Sequence, residues 1–311
     1  MNQYLLDTKS VSLSDTHEFE LTSHYDSHRL QRLDERRINI PGLEIGELIG
    51  SGGSSHVYKA RRKSDGECLA VKIWTARQSS RTLAHVRYQR EVDVLRRLDH
   101  PRIIRLLDFG VTDLQIQFLV MEYLQGVTLH RFLQERGAVK WQQCQMWLCQ
   151  ICDAVSEIHS QGIVHRDIKP SNIMTVHDQH TESIKLLDFG LVRELPEQGM
   201  QYLNVTPIGT VIGTPHYLSP EQASGKMEIT IRSDFYSIAA TAVHLLTGVP
   251  MYQRKTWIES VAAHLQEPTY NLRKHVPEIP NAACEVLQSC LEKDPQVRPS
   301  SAKEIANALT D

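Results

Sequence analysis

The sequence has no long hydrophobic stretch. No run of about 18 consecutive apolar residues occurs, so we expect no membrane-spanning helix. The opening residues, M-N-Q-Y-L-L-D-T-K-S, contain neither the basic segment nor the apolar core of a secretory signal peptide. These two absences favour a cytoplasmic protein.

An excess of one charge is also lacking. The 34 Lys and Arg residues nearly balance the 37 Asp and Glu residues, which gives a net charge of −3. Because nucleic-acid binding depends on clustered positive charge, and no long basic tract occurs, we expect no nucleic-acid partner.

Two pairs of cysteines or histidines lack the further ligands that a metal site needs. Of the 6 cysteines, Cys149 and Cys152 form a C-x-x-C pair, but no second pair follows at ligand spacing. We therefore interpret both as small core residues of a helix. His177 and His180 lie in a polar insert, 177–183, without a further ligand nearby, and we interpret that insert as a solvated loop.

The length and periodicity of the chain predict two lobes or two domains. At 311 residues it is too long for one small core. Residues 1–41 are polar and weakly periodic, and we interpret them as an N-terminal extension that is disordered or regulatory. Residues 43–74 predict three antiparallel strands joined by hairpins, and 103–111 and 117–124 predict two more. Beyond Gly126 the periodicity is mostly helical, with a long helix at 140–161 and three helices at the C-terminal end.

One carboxylate falls on a face that should be buried. A helix is predicted from about His85 to Leu98, and counting from Glu91 the apolar residues Val94, Leu95 and Leu98 follow at helical spacing. A carboxylate on the buried face of a helix is costly unless it is paired. We therefore expect Glu91 to have a basic partner.

A compact polar cluster runs from His165 to Asn172 and reads H-R-D-I-K-P-S-N. Such a cluster on a loop is ordinarily a solvated turn, but two further motifs accompany it. Lys72 stands in A-V-K-I before it, and D-F-G follows it at residues 188–190. In this order the motifs resemble those of the eukaryotic-type (Hanks-type) Ser/Thr protein kinases.

The resemblance covers about Leu43 to Leu309 and implies an α+β, two-lobed fold. A small β-rich N-lobe with one regulatory helix would span residues 42–122, a hinge 122–126, and a larger, mainly helical C-lobe 127–311. The segment S-P-E-Q-A, which has Ser219 where the family pattern A-P-E has alanine, is similar to bacterial members. Another D-F-G, at 108–110, precedes H-R-D inside a predicted strand, and we interpret it as structural.

The resemblance also implies four catalytic residues. Asp167 would accept the proton of a substrate hydroxyl, and Lys169 would stabilise charge on the γ-phosphate. Lys72 would contact the α- and β-phosphates, with Glu91 as its ion-pair partner. Lys169 within D-I-K-P-S-N favours serine or threonine over tyrosine as the acceptor.

ATP and Mg²⁺, with Mn²⁺ as an alternative, are the cofactors that the resemblance implies. Asn172 and Asp188 are the expected metal ligands. The residues expected to bind the nucleotide lie in the Gly-rich turn, on the strand that carries Lys72, at the gatekeeper and hinge, and at the metal site: Ile49, Gly50, Ser51, Gly52, Gly53, Val57, Ala70, Lys72, Met121, Glu122, Leu124, Asn172 and Asp188. The third glycine of the family pattern G-x-G-x-x-G-x-V is replaced by Ser55, which is small enough to let the turn close over ATP.

Regulation is expected in the long loop 191–221. Loops of this length in compact domains tend to be functional. Arg166 is implied to pair with a phosphorylated residue of this loop. Thr210 is the first candidate for activating autophosphorylation and Thr206 the second, whereas Thr214 in G-T-P-H-Y is expected to position the peptide substrate.

Two alternatives to a Ser/Thr protein kinase remain open at this point. A pseudokinase or ATP-binding scaffold would keep the fold with weak or no transfer, and Ser55 is its best support in the sequence. A small-molecule kinase of the aminoglycoside type is disfavoured by the S-P-E segment and by Thr214. The expected partners are protein substrates with Ser or Thr acceptors, and the chain is compatible with a monomer or a dimer.

Overall fold

Five antiparallel strands form the sheet of the N-terminal lobe. They are β1 (Leu43–Ser51), β2 (Ser55–Arg62), β3 (Cys68–Trp74), β4 (Leu106–Val111) and β5 (Gln117–Glu122), in the spatial order β1-β2-β3-β5-β4. The computed structural model describes residues 38–52, 55–74, 81–178, 181–194, 215–225 and 228–311. The central strand β3 is buried along almost its whole length, so Lys72 lies in the interior of the lobe.

One helix, α1 (Arg81–Leu95), packs on this sheet. It begins earlier than the predicted His85 and ends at Leu95, so the prediction that it reaches Leu98 was wrong. The chain leaves the helix in a tightened turn, in which the Arg97 N–H donates to the Val94 carbonyl at 3.0 Å. Helices usually end at or before the residue that precedes a proline, and here Pro101 follows His100.

A three-stranded sheet lies beyond the hinge. It consists of β6 (Gly126–Thr128), β8 (Ile173–Asp178) and β9 (Thr181–Leu186), in the order β6-β8-β9. The prediction of a loop at 177–183 was wrong for the described part of that segment, because β8 and β9 pair antiparallel up to Asp178 and Thr181. His180 lies outside the described residues. Sterics exclude a side chain at position 126, because a Cβ on Gly126 would lie 1.7 Å from the Thr175 carbonyl oxygen.

Helices build most of the C-terminal lobe. The described helices are α2 (Leu129–Arg136), α3 (Trp141–Ser160), α4 (Pro220–Ser224), α5 (Ile231–Thr247), α6 (Trp257–Gln266), α7 (Leu272–His275), α8 (Asn281–Cys290) and α9 (Ala302–Thr310). Helix α5, with its apolar run F-Y-S-I-A-A-T-A-V, is buried over most of its length, and α3, α6 and α8 supply further core residues. The three predicted C-terminal helices correspond to α6, α8 and α9, and the single turn α7 was not predicted.

The polar cluster at 165–172 is held between elements of the C-terminal lobe. The short strand β7 (Ile163–Val164) precedes it and pairs with β10 (Arg193–Glu194), which follows the second D-F-G. An isolated bridge between Ile103 and Leu186 connects the chain after α1 to β9. Residues Ile40–Asp311 form one compact unit, and the predicted two-lobed α+β fold is confirmed.

Membrane spans and clustered metal ligands were searched for among the residues that the structure describes. None of their helices is both long and apolar enough to cross a lipid bilayer. Within the same residues, no group of three or more His, Cys, Asp or Glu side chains could hold a metal ion. Cys149 is half-buried, Cys152 is buried, and both are free thiols.

Candidate functional site

The predicted catalytic side chains come from both lobes and meet in one cleft. Lys72 is on β3 and Glu91 on α1, whereas Asp167 follows β7 and Asp188 follows β9. Residues 170–172 form one turn of 3-10 helix that brings Asn172 back towards Asp167. Sequence neighbours therefore supply only part of the site, and the fold supplies the rest.

Lys72 is the cation at the centre of the upper half of the cleft. Its Nζ lies 2.7 Å and 2.8 Å from the two carboxylate oxygens of Glu91 and 3.1 Å from Oδ1 of Asp188. The Glu91 side chain is 0% exposed and that of Lys72 is 10% exposed. A pair buried this deeply is tolerated because each charge is matched by several contacts.

Burial and neighbouring charges shift the pKa values of these three groups in opposite directions. Burial raises the pKa of Glu91 to about 7, although the Lys72 charge works against it. Burial also tends to raise the pKa of Asp188, but the Lys72 charge and the Gly190 N–H outweigh it and lower that pKa to about 2. Burial tends to lower the pKa of Lys72, but the Asp188 and Glu91 carboxylates raise it above its ordinary value. Asp188 and Lys72 are therefore both ionised at neutral pH.

The D-F-G segment at 188–190 fixes the Asp188 carboxylate by its backbone. The Gly190 N–H donates to Asp188 Oδ1 at 3.0 Å, and a Cβ on Gly190 would lie 3.2 Å from that same oxygen. Phe189 is fully buried, and its ring centroid lies 5.0 Å from that of His165. The Asp188 side chain is 44% exposed, so one anchored carboxylate lies at the surface of the cleft.

Asp167 is the centre of the lower half. Lys169 Nζ lies 2.8 Å from both Asp167 carboxylate oxygens. Asn172 Nδ2 donates to Asp167 Oδ2 at 2.8 Å and to the Asp167 carbonyl at 2.9 Å. Burial raises the pKa of Asp167 although the Lys169 charge opposes it. Because Asn172 uses its amide nitrogen on Asp167, its amide oxygen is the end with which it would hold a cation.

A buried carboxylate on α5, Asp234, holds the backbone of the loop from below. It accepts hydrogen bonds from the N–H groups of His165 at 2.9 Å and Arg166 at 2.8 Å, and from Nε2 of His159 at 2.8 Å. Burial tends to raise the pKa of Asp234, but the bond from His159 and its charge outweigh this and lower it. Sequence analysis missed Asp234. The available signal was a carboxylate in an otherwise apolar helix, which requires buried partners.

A second buried ion pair lies at the base of the C-terminal lobe. Arg298 forms two parallel hydrogen bonds to Glu221, Nη1 to Oε1 at 2.7 Å and Nη2 to Oε2 at 2.9 Å. Both side chains are 0% exposed, and Ser233 Oγ donates to Glu221 Oε1 at 2.6 Å. Burial tends to raise the pKa of Glu221, but the bonds from Arg298 and its charge lower it.

The upper wall of the cleft contains the residues predicted to contact a nucleotide. On the Gly-rich turn, Gly50 pairs with Val57 across β1 and β2, and the Gly52 N–H donates to the Ser55 carbonyl at 2.8 Å. Ile49 and Ser51 are on β1, while Gly53 lies outside the described residues. On the inner side, Ala70 of β3 pairs with Met121 of β5, and both are buried.

The segment predicted to be the hinge has an ion pair that sequence analysis did not predict. Lys185 Nζ on β9 lies 2.5 Å from Glu122 Oε1, and the Arg105 N–H donates to the same oxygen at 2.8 Å. Leu124 is half-buried beside the core. Three residues predicted to be regulatory, Thr206, Thr210 and Thr214, lie outside the residues that the structure describes.

Comparisons with known proteins converge on one family. The family model described as a protein kinase domain matches residues 43–309. Among curated proteins, the chain is 34% identical over 266 residues to the serine/threonine-protein kinase PknB of Mycolicibacterium smegmatis, a match that covers 84% of this chain and 41% of the relative. It is 34% identical over 262 residues to the serine/threonine-protein kinase pkn3 of Myxococcus xanthus, covering 82% and 47%.

A third relative is similar to the same extent. A probable serine/threonine-protein kinase of Clostridium perfringens is 31% identical over 266 residues, covering 86% of this chain and 37% of the relative. The chain therefore spans less than half the length of each of these three relatives. All three are bacterial proteins, which is the resemblance that the S-P-E-Q-A segment predicted.

Proposed function

Because the chain belongs to the protein kinase family, we propose that it transfers the γ-phosphoryl group of ATP to serine or threonine hydroxyls of protein substrates. One observation carries this proposal. The predicted catalytic and metal-binding side chains form two sets of direct contacts: Lys72 with Glu91 and Asp188, and Asp167 with Lys169 and Asn172. The two sets are close enough that the charge of Asp188 contributes to the raised pKa of Asp167. The names of the bacterial relatives support serine or threonine as the acceptor.

Members of this family use ATP together with a divalent metal ion. For this chain we propose Mg²⁺, with Mn²⁺ as an alternative, held by the oxygens of Asp188 and Asn172. The donor set fits, because Asp188 is ionised with a lowered pKa and Asn172 has its amide nitrogen engaged elsewhere. Mg²⁺ is ordinarily bound by one or two protein ligands plus phosphate oxygens and water, so two ligands suffice.

The chain's own residues would orient the reactants and neutralise charge. Bound ATP supplies the phosphoryl group, and the metal ion neutralises phosphate charge. Asp167 orients the acceptor hydroxyl and takes up its proton, and burial raises the pKa of Asp167, which makes this carboxylate a stronger base. Lys169 and Lys72 supply positive charge, and Glu91 fixes the position of Lys72.

The remaining nucleotide contacts are proposed from position. The Gly-rich turn would cover the phosphates with backbone N–H groups, Ala70 and Met121 would border the adenine, and the backbone of Glu122 and Leu124 would hydrogen-bond to it. The residues proposed for the turn are Ile49, Gly50, Ser51, Gly52, Gly53 and Val57. We propose 42–311 as the catalytic domain and 1–41 as an extension outside it.

Regulation by phosphorylation is a further part of the proposal. A phosphate on Thr210, or on Thr206, would pair with Arg166, while Thr214 would help to position the peptide substrate. The motif order and the placement of Arg166 directly before Asp167 support this assignment. Mapping the phosphorylated residues of the active wild-type protein tests it, and a protein without phosphate on the 191–221 loop contradicts it.

The transfer itself is tested by a matched pair of variants. We expect Asp167→Asn to reduce incorporation of the terminal phosphate of ATP into a generic Ser/Thr protein substrate by about 10²- to 10⁴-fold, the usual contribution of a general base. The control is Asp113→Asn, which makes the same chemical change at an exposed position on the turn after β4 and should keep wild-type incorporation.

Thermal stabilisation by ATP and Mg²⁺, measured on the same samples, separates the alternatives. Stabilisation of both variants together with the selective loss of transfer supports the proposal. A wild-type protein that is stabilised by nucleotide but transfers nothing is a pseudokinase, and an Asp167→Asn variant with unchanged incorporation contradicts the assigned role of Asp167.

A further inference from the structure

The peptide group between Arg166 and Asp167 is restrained at both of its ends. Arg166 has φ +69°, a left-handed conformation that is strained in a residue with a side chain. The Asp167 N–H of this peptide donates to His165 Nδ1 at 3.3 Å. The carbonyl of the same peptide, on Arg166, accepts a hydrogen bond at 2.8 Å from Nε2 of Gln222 on α4. Gln222 thus restrains a strained peptide that directly precedes the proposed base.

The other end of the Gln222 amide is engaged as well. Its Oε1 accepts from the N–H of Ser219 at 3.1 Å and from Ser219 Oγ at 3.0 Å. The two donors on one side and the carbonyl acceptor on the other fix which end of the amide points at Arg166. The hydroxyl is available because Ser219 replaces the alanine of the A-P-E pattern.

Only an amide satisfies both sides of this arrangement. A glutamate of the same shape keeps the acceptor for Ser219, but when ionised it has no proton for the Arg166 carbonyl and places a negative oxygen against it. A methionine of similar length lacks both functions. Substitutions of Gln222 therefore test how the backbone of the loop that carries Asp167 is held.

We propose that Gln222 is a positioning residue for phosphoryl transfer, which sets the plane of the Arg166–Asp167 peptide and thereby the direction of the Asp167 carboxylate. The proposal rests on the proposed function, since it concerns the same reaction. Rotation of that peptide changes φ of Asp167 and moves its carboxylate relative to Lys169 and Asn172, and misplacing a reacting group by about 1 Å can cost about 10²-fold in rate.

The test compares Gln222→Glu with Ser219→Ala. For Gln222→Glu we expect kcat for transfer to a protein substrate to fall about tenfold, with KM for ATP and the Tm close to wild type. For Ser219→Ala, which removes the hydroxyl that caps α4 but leaves the bond to Arg166, we expect kcat within about twofold of wild type and a lower Tm. Gln222→Glu should therefore lower kcat with little change in Tm, and Ser219→Ala should lower the Tm with little change in kcat.

A pH profile supplies a signature that a purely structural role lacks. Protonation of the carboxylate introduced by Gln222→Glu creates an O–H that can donate to the Arg166 carbonyl, so the ratio of wild-type to variant activity should shrink as the pH falls towards 5. Gln222→Met, which has no proton to gain, should show a loss that does not depend on pH and serves if Gln222→Glu does not fold.

The outcomes are distinct. Inactive wild-type protein overturns the proposed function and not this inference. Active wild-type protein with full kcat in Gln222→Glu and Gln222→Met overturns the positioning role, as does a kcat deficit in Gln222→Glu that stays constant with pH. A deficit that appears in Gln222→Glu and is relieved at low pH supports the role.

Discussion

Two of the carboxylate–cation pairs among the described residues are deeply buried, have similar geometry and lie in different surroundings. Glu91 and Lys72 meet in the cleft between the lobes, and Glu221 and Arg298 meet at the base of the C-terminal lobe. In both pairs the two carboxylate oxygens contact the partner cation at 2.7–2.9 Å. The difference lies in what else each cation and each carboxylate contacts.

In the cleft the cation contacts two carboxylates, whereas at the base the cation contacts one carboxylate and several backbone carbonyls. Lys72 contacts Asp188 as well as Glu91, and burial raises the pKa of Glu91. At the base, Glu221 has a planar guanidinium and the Ser233 hydroxyl, and its pKa is lowered. A pair that is saturated with partners holds the fold together, whereas a pair whose cation also contacts a second, half-exposed carboxylate can exchange that partner for a ligand.

The largest expected effect is on stability, from Arg298→Met. Removing one partner of a buried pair leaves Glu221 without compensation, and we expect a loss of about 3–5 kcal/mol in the free energy of unfolding. Chemical denaturation measures it. The double variant Glu221→Met/Arg298→Met should recover most of the loss, because two apolar residues can replace a buried pair at little cost. A single variant as stable as wild type would show that the pair is dispensable.

Lys72→Met is the corresponding change in the cleft. We expect a loss of transfer of about 10²- to 10³-fold, typical of removing one group that stabilises transition-state charge. Stability should change little, because the already raised pKa of Glu91 lets that carboxyl take up a proton when its partner is removed. Initial rates and a denaturation curve on the same preparation test this. Loss of folding without a specific loss of transfer contradicts it.

The pH dependence of stability should have opposite signs at the two carboxylates and is the smallest effect. The pKa of Glu91 is raised from 4.5 to about 7, so the folded state holds this proton more tightly and stability falls as the pH rises through that window. The pKa of Glu221 is lowered, so its contribution is present above 4.5 and is lost as the pH falls through the folded value.

Glu91→Gln and Glu221→Gln isolate these two contributions. Relative to wild type, Glu91→Gln should gain stability as the pH rises from 4.5 to about 7. Glu221→Gln should lose relative stability as the pH rises towards 4.5 from below. Denaturation at several pH values measures both, and equal slopes for the two variants would remove the distinction between the pairs.

The sequence predicts those parts of the site that depend on order and periodicity. Glu91 stood out because helical spacing places it with Val94 and Leu95 on a buried face. Lys72, Asp167 and Asp188 stood out because their motifs occur in a fixed order. Both signals can be read from one sequence without the structure.

Several contacts between distant residues were not predicted from the sequence. The bonds of Asp234 to the 165–166 backbone, of Lys185 to Glu122 and of Gln222 to Arg166 join residues far apart in the chain. No periodicity encodes such a pair, although a charged residue in an apolar helix indicates that a partner must exist. The predicted bounds of α1 and the predicted loop at 177–183 were wrong for a related reason, because packing and strand pairing override local propensity.

The most direct test of this account is phosphate incorporation per folded molecule in Lys72→Met and Arg298→Met, with the folded fraction of each sample determined from its denaturation curve. The account predicts that Lys72→Met loses transfer by about 10²-fold or more, while Arg298→Met, corrected for its smaller folded fraction, stays within a few-fold of wild type. Equal losses per folded molecule, or the reverse pattern, would contradict the division between a catalytic pair in the cleft and a structural pair at the base.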